Sequence, residues 1–466
     1  MINRKLAEIA AMCGGELANV DDSEIAIQGV VTDSRNIDSG CLFVPLVGEK
    51  FDGHNFAGDC LAAGASAILW EKANGMPPGP GVLVENTLEA LQQLAASYLA
   101  QSGAKVIGIT GSNGKTTTKD IVFSLLSTTY KVHKTQGNFN NHIGLPLTIL
   151  SMPEDCDIAV LEMGMSGRHE IELLSELAKP ETAIVTNIGE SHLLQLGSRL
   201  EIARAKLEIL SGMKQGGLLV YNGDEPLLNI VLSEESTAKP ESLRKSTFGL
   251  SGDNDDYPSG IMFANGKTLF TSHLIGNMTL ELPLLGEHNV INCLAALTVA
   301  RHYGVSVQGI QEGLRNLELT GMRIEMITGT SGITVLNDAY NASPTSMKAA
   351  ILVLERMKGY RNKIAVLGDM LELGDSEEEY HREVGAFVST SKLDYLFTYG
   401  KLGELIAEGA GDALDANHIF AYHDKSELIH KLESIVSPKD IVLVKGSRGM
   451  KLEEVVEAIK ASSLHK

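Results

Sequence analysis

Basic residues are scarce in this 466-residue sequence: 39 lysines and arginines stand against 59 aspartates and glutamates, a formal net charge of −20. A main partner such as nucleic acid or an anionic membrane requires a basic surface, so this deficit argues against both, and any phosphate site must be local. Cysteine is sparse too. Cys13, Cys41, Cys60, Cys156 and Cys293 are odd in number, far apart and never in Cys-x-x-Cys spacing, which indicates neither a disulfide framework nor a zinc site and fits a reducing compartment. No apolar run approaches membrane-spanning length. The first turns carry Arg4, Lys5 and Glu8 instead of the unbroken apolar centre of a signal peptide, so the expectation is a cytoplasmic protein. Length suggests about three domains, each large enough to bury its own core.

What the sequence does have is a stretch around which the rest is arranged, Lys105-Val-Ile-Gly-Ile-Thr-Gly-Ser-Asn-Gly-Lys-Thr-Thr-Thr-Lys119. Val106, Ile107 and Ile109 read as a buried strand and residues 116–126 as a helix. At such a junction the free backbone N–H groups point one way, Gly111 and Gly114 remove side chains that would block a ligand, and Lys115 adds a positive charge. A phosphate chain suits that site, with the Thr116 hydroxyl on Mg²⁺. The strict spacing Gly-x-x-x-x-Gly-Lys-Ser/Thr asks for glycine where Ile109 stands, and Gly108 sits one residue early. A glycine-rich turn without a ligand is the alternative; the hydroxyls after Lys115 favour the phosphate site.

The pattern along the chain predicts an α/β protein. Residues 1–100 mix short strands (25–31, 41–47, 67–69, 81–84) with helices near 6–12 and 87–100, a small α/β domain. Its unusual piece is Thr32-Asp33-Ser34-Arg35, which would suit a phosphate or a uracil edge and is equally a solvated turn. Strands at 158–163, 182–188 and 218–221 then alternate with helices, which predicts a parallel sheet whose carboxyl edge carries Glu162 and the segment from Asn187 to His192 beside the phosphate loop. Glu162 ends an apolar run, as a metal-side carboxylate does; a strand-end charge in solvent is the other reading, and His192 has the same ambiguity.

Lys206 has Ile202, Ala203, Ile209 and Leu210 three and four residues away in a helix predicted over 200–210, so it lies on the apolar stripe, whereas Glu208 falls on the wet face. A desolvated amine has a lowered pKa and is reactive when neutral; snorkelling to the surface is the alternative. Residues 245–285 alternate like a hairpin insertion, with Asn265-Gly266 and Gly276-Asn277 as turns. In the helix that follows, Asn289 and Asn292 share a face suited to an adenine edge, or Asn289 caps the helix. From about residue 320, strands at 333–336, 363–367, 395–399, 418–422 and 441–444 build a second, Rossmann-like α/β domain. Its polar clusters Asn337-Asp-Ala-Tyr-Asn341, Gly368-Asp-Met-Leu-Glu-Leu-Gly374 and Lys445-Gly-Ser-Arg-Gly449 fall at strand ends, where open sheets bind ligands.

Thr110-Gly-Ser-Asn-Gly-Lys-Thr-Thr117, Glu162, His192, Ala203-Arg-Ala-Lys-Leu-Glu208, Glu287-His-Asn-Val-Ile-Asn292, Arg323 and Asn337-Asp-Ala-Tyr-Asn341, in that order, resemble the Mur ligases, ATP-dependent enzymes that build the peptide stem of the bacterial cell-wall precursor. The resemblance covers three domains: residues 1–100, binding a UDP-sugar; 101–318, a phosphate-loop ATPase-like parallel sheet with the hairpin insertion, binding ATP; and 319–466, Rossmann-like. Within the family, Gly137-Asn-Phe-Asn-Asn-His-Ile-Gly-Leu-Pro-Leu-Thr148, residues 367–374 and residues 445–450 look like the member that adds D-alanyl-D-alanine to UDP-MurNAc-tripeptide. Ser343 departs from the family's usual asparagine. The resemblance implies ATP held by Gly111, Ser112, Asn113, Gly114, Lys115, Thr116 and Thr117, with Asn289 and Asn292 facing adenine and Arg323 and Asp338 reaching the nucleotide. It implies two Mg²⁺ ions on Thr116, Glu162 and His192, and Lys206 carbamylated to place the second. Thr32 to Arg35 with Asn138, Asn140 and Asn141 would hold the UDP-sugar peptide, Tyr340 and Asn341 would line the substrate site, and Arg448 would take the dipeptide's carboxylate. The expected catalytic set is Lys115, Glu162, His192 and Lys206, working in a monomer without nucleic acid or membrane insertion.

Overall fold

The computed structural model describes residues 1–264, 266–411 and 414–462. The phosphate-loop strand, Lys105–Thr110, lies inside a six-stranded, wholly parallel sheet, flanked by Ile158–Glu162 on one side and Thr182–Val185 on the other. Val132–Lys134 forms one edge, while Leu218–Asn222 and Arg244–Phe248 extend the other. From Lys105–Thr110 the chain runs out to the edge strand Val132–Lys134, then returns through Ile158–Glu162 and crosses to Thr182–Val185 on the other side of its starting strand. A crevice therefore opens at the carboxyl ends of three neighbouring strands.

Near-continuous apolar strands are what a sheet covered on both faces requires. One face packs under Lys115–Leu126 and Glu287–His302, with Ile109, Val160 and Ile184 meeting Ile121, Leu125 and Leu294 in one core. The other face shares a core with the first hundred residues, so Leu161 and Val185 belong to the same buried cluster as Leu6, Leu69 and Leu94. Polar ties cross there as well: Tyr98 OH donates to the Met152 carbonyl at 2.8 Å, and Ile2 N to the Leu150 carbonyl at 2.8 Å. All five cysteines are buried and unpaired, as their spacing implies.

The first unit carries a five-stranded sheet, parallel except for Glu16–Leu17. Residues 25–31 are not the single strand expected. Gly29 adopts φ +82° and splits them into Ala26–Gln28 and Val30–Val31, which join two different sheets. Residues 41–47 shorten to Leu42–Phe43.

The expected insertion is a separate three-stranded antiparallel sheet, Ile261–Ala264, Lys267–Ser272 and Met278–Leu282. Arg244–Phe248, grouped with it on sequence pattern, instead completes the central sheet. Parallel pairing joins distant segments, and local alternation carries no record of it. Gly276 and Asn277 turn with positive φ as expected; Asn265 lies outside the described residues.

The last unit is a six-stranded sheet in which Ile441–Lys445 lies between Thr334–Asp338 and Lys363–Gly368, with Glu325–Thr328 added antiparallel at one edge. Its two faces bury separate cores. Among the described residues no helix is long and apolar enough to cross a membrane.

Candidate active site

The shape of the phosphate loop is set by the neighbouring strand end. Residues 182–188 were expected as one strand, but pairing stops at Val185, and Thr186 and Asn187 turn to brace the loop. Asn187 accepts from Ser112 N through its carbonyl (3.0 Å) and from Asn113 N through Oδ1 (2.9 Å), while Thr186 Oγ1 donates to the Asn113 carbonyl at 2.6 Å. Gly111 and Gly114 are required by this bracing. Gly111 sits at φ +146°, and a Cβ there would lie 1.9 Å from Thr186 Oγ1; Gly114 at φ +80° would clash with Asn292 Oδ1 at 2.4 Å. Gly111→Ala is accordingly expected to displace the loop and weaken ADP binding on the order of a hundredfold, measured by titration calorimetry; unchanged affinity would show the loop does not hold the phosphates.

The helix Lys115–Leu126, with Gly114 as its N-cap, begins one residue before the expected start. Lys115 Nζ is held by the Gly111 and Ser112 carbonyls at 2.7 and 3.4 Å, and burial, with Arg323 nearby, lowers its pKa against the pull of Glu162. Ser112 Oγ and Asn113 Nδ2 are buried with no partner in the protein, two polar groups aimed where a phosphate chain would lie. Thr117 is buried beside them.

Glu162 is 2% exposed, so the solvated strand-end alternative is excluded. Its Oε2 accepts from Thr116 Oγ1 and its Oε1 from Asn140 Nδ2, both at 2.9 Å. Asn140, expected on substrate, thus also ties this carboxylate to the pocket wall. Asn141 Oδ1 accepts from Ile143 N and Gly144 N just ahead of the helix Gly144–Ser151, and Asn138, Asn140 and Asn141 all line the pocket. Lys119, which sequence reasoning left without a role, is fully buried with Nζ 3.6 Å from Asp120 and 3.9 Å from Glu162.

Lys206 is 1% exposed, which excludes snorkelling. Burial first and the Lys115 charge second drive its pKa well below the ordinary lysine value. Glu208, expected on the wet face, is instead covered: Arg168 Nε reaches it at 2.6 Å and its side chain is 8% exposed. His192 also faces the pocket, and its Nδ1 lies 2.7 Å from Glu372 Oε2. Burial, reinforced by Lys206, keeps its pKa below the usual imidazole value.

The opposite wall comes from the last unit. Asp338 meets Lys445 Nζ at 2.6 Å, and that ammonium also donates to the Asn341 carbonyl at 2.9 Å. Asp338 and Lys445 are register partners on adjacent strands but 107 residues apart in the chain, so only the sheet reveals the pair. Arg323 lies 4.4 Å from the Tyr340 ring centre, and its Nε is buried without a partner. Ser343 caps the helix Pro344–Arg356 through Ser346 N and touches Asn113 Oδ1 at 3.3 Å. Serine caps about as well as asparagine, which accounts for the departure seen in the sequence. Thr345 Oγ1 donates to Glu190 at 2.9 Å. The two walls enclose a cavity of about 440 Å³ containing the loop, Glu162, His192, Asn289, Asn292, Arg323, Asp338, Tyr340 and Asn341.

Asn289 is not an N-cap: Gly286 holds that place, and Asn289 Nδ2 donates to the Leu285 carbonyl while accepting from Asn292. Thr32 to Arg35, expected at the UDP-sugar site of the first unit, lie outside this cavity's lining, and the Arg35 guanidinium pairs with Asp33 at 2.8 Å in an exposed pair that lowers the Asp33 pKa to about 2. Arg448 also stands outside the cavity lining, half-exposed and 3.1 Å from Glu453. His288, partly buried on the cavity wall with its pKa lowered to about 4 by desolvation, was quoted within a motif but given no role. Among the described residues no three histidine, cysteine or acidic side chains cluster as a metal cage.

A braced phosphate loop on one parallel sheet, closed over by a Rossmann-like sheet, defines an enzyme that binds a nucleotide between two α/β bodies. The chain belongs to the Mur ligase family. Residues 26–99 match the Mur ligase family catalytic domain, 109–300 the Mur ligase middle domain and 322–448 the glutamate ligase domain. It is 50% identical to the UDP-N-acetylmuramoyl-tripeptide--D-alanyl-D-alanine ligase of Bacillus subtilis over 466 residues, covering 100% of both chains. Among solved structures, MurF from Acinetobacter baumannii superposes with a TM-score of 0.88 at 30% identity, covering 99% of each chain. The MurF ligase of Thermotoga maritima in complex with ADP gives 0.81 at 31% identity, covering 93% of this chain and 97% of that one.

Proposed function

We propose that the protein is an ATP-dependent ligase that joins D-alanyl-D-alanine to UDP-N-acetylmuramoyl-tripeptide, acting as a cytoplasmic monomer in cell-wall precursor synthesis. The observation that carries this reading is end-to-end identity of 50% with the B. subtilis ligase of that name. In the reaction, a carboxylate oxygen of the tripeptide attacks the γ-phosphorus of ATP as the bond to ADP breaks, giving an acyl phosphate. The dipeptide amine then adds to the acyl carbon, loses a proton, and expels phosphate from the tetrahedral intermediate.

The protein's part is positioning and charge. Lys115 and the loop N–H groups hold the transferring phosphoryl group, with Ser112 Oγ and Asn113 Nδ2 as free polar groups beside it. Arg323, stacked on Tyr340, supplies a second cation from the far wall. Asp338 and Lys445 fix that wall, and the Thr345–Glu190 contact holds the two walls together, excluding water from the acyl phosphate.

Thr116 and Glu162 suit Mg²⁺, which takes few protein oxygens and completes its shell with phosphate and water. His192 suits a second ion. Such ions supply charge neutralisation during phosphoryl transfer. The buried, neutral-leaning Lys206 suits carbamylation, its amine adding to CO₂ with loss of a proton to leave an anion within the field of Lys115.

The reading is tested by assaying purified protein with ATP, D-alanyl-D-alanine and the tripeptide carrying either meso-diaminopimelate or L-lysine. Ligation and phosphate release are expected only with all three substrates. Phosphate release without the amine would instead indicate an ATPase switch, and use of a free diamino acid the ligase that adds the third residue. D-alanyl-D-alanine amide should be a substrate at least about tenfold poorer than the free acid, because a guanidinium–carboxylate pair is lost. Equal single-turnover efficiency would remove the case for carboxylate recognition by Arg448, which stands beside Met322 next to the cavity's Arg323.

A further inference from the structure

The loop leaving strand Lys363–Gly368 reaches back to the central unit, and Glu372 makes its polar contacts there. The loop is rigid by construction. Asp369 accepts from Gly403 N at 2.7 Å, Leu371 N donates to Ser447 Oγ at 2.9 Å, and Met370 N donates to Nε2 of the fully buried His381 at 2.9 Å. From this base Glu372 makes two contacts across the boundary: its carbonyl accepts from Leu194 N at 3.1 Å, and its carboxylate lies 2.7 Å from His192 Nδ1. Gly374 packs so closely on Leu194 that a Cβ would lie 3.2 Å from that residue's Cα.

Both partners hold uncommon backbone. Glu372 has φ +65° and His192 φ +64°, a left-handed conformation rare outside glycine, so each side is held in a conformation it would not adopt freely. A contact whose carboxylate is half in solvent contributes little by itself. Its placement is what matters: among the described residues the His192 ring has no other polar partner, and Nδ1 on Glu372 leaves Nε2 as the ring's remaining ligand atom. Histidines that bind metal nearly always have their second nitrogen on a carboxylate or carbonyl, which fixes ring orientation and raises ligand basicity.

We propose that Glu372 is a positioning residue: reaching over from the Rossmann-like unit, its carboxylate orients the His192 imidazole so that Nε2 becomes a metal ligand only when the two units are closed. This rests on the reading of His192 given above. It ties completion of the metal site to closure, so phosphoryl transfer awaits the arrival of the unit that carries the acceptor.

The test uses full-length protein with adenylyl imidodiphosphate, titrated with Mn²⁺ and read by electron paramagnetic resonance. Glu372→Gln is expected to weaken the weaker of two Mn²⁺ sites about tenfold to a hundredfold, and to lower kcat with little change in KM for the dipeptide. Glu372→Gly removes the carboxylate while relieving the backbone at φ +65°, so it should match wild type in thermal stability and still lose the same Mn²⁺ affinity. That combination separates positioning from a structural clamp. Unchanged Mn²⁺ affinity in both variants overturns the proposal, even if turnover falls. Weakened affinity supports it whether or not the protein proves to ligate D-alanyl-D-alanine.

Discussion

Lys115→Ala is expected to lower ligation by at least about a hundredfold and to leave the fold intact. The ammonium lies at the start of the phosphate-loop helix, partly buried, hydrogen-bonded only to carbonyls of its own loop and within the field of Glu162. Its burial carries a desolvation cost that no direct ion pair offsets, as the lowered pKa records, so removing it should not reduce thermal stability. Its contribution belongs to the reaction, in which negative charge spreads over the transferring phosphoryl oxygens and a fixed cation in a dry cavity acts most strongly. The measurement is coupled ADP release alongside a thermal melt. A variant that folds and turns over near the wild-type rate would remove the phosphate-loop assignment.

The second large effect concerns Lys206. Its side chain is fully enclosed, joins no ion pair among the described residues, and has its pKa driven down chiefly by burial. A lone cation is poorly suited to that place, whereas a carbamate would carry the negative charge that Lys115 and a metal ion favour. Lys206→Ala should therefore keep on the order of a hundredth of wild-type turnover or less, and added formate or acetate should restore a measurable part by entering the vacated space. Lys206→Arg should not respond, because the guanidinium stays charged and fills the gap. Full activity in Lys206→Ala, or no response to carboxylates while metal binding stays normal, would show that the amine is unmodified.

Much of the site could be read from the sequence because its chemistry is local. The phosphate loop, Glu162 at a strand end and Lys206 on an apolar helical stripe each sit in a short window whose periodicity states what is buried. Glu208 shows the limit: the helix pattern put it on the wet face, but Arg168, forty residues earlier, folds over it. Asn140 and Asn141 show another, since a run of asparagines announces polar work without saying whether the partner is substrate, a carboxylate or a helix end.

The sequence by itself determined the α/β class, the three units, the position of the nucleotide loop and most of the residues around it. These follow from strand and helix periods, from glycine where the backbone turns, and from a charge deficit that confines phosphate binding to one place. Only the tertiary structure decided that Arg244–Phe248 belongs to the central sheet, that Asp338 pairs with Lys445, and that His192 looks to Glu372. Each of these joins residues far apart in the chain. Local preference specifies which segments become strands and helices, but which of them meet is set by how the sheets bury their two faces against one another.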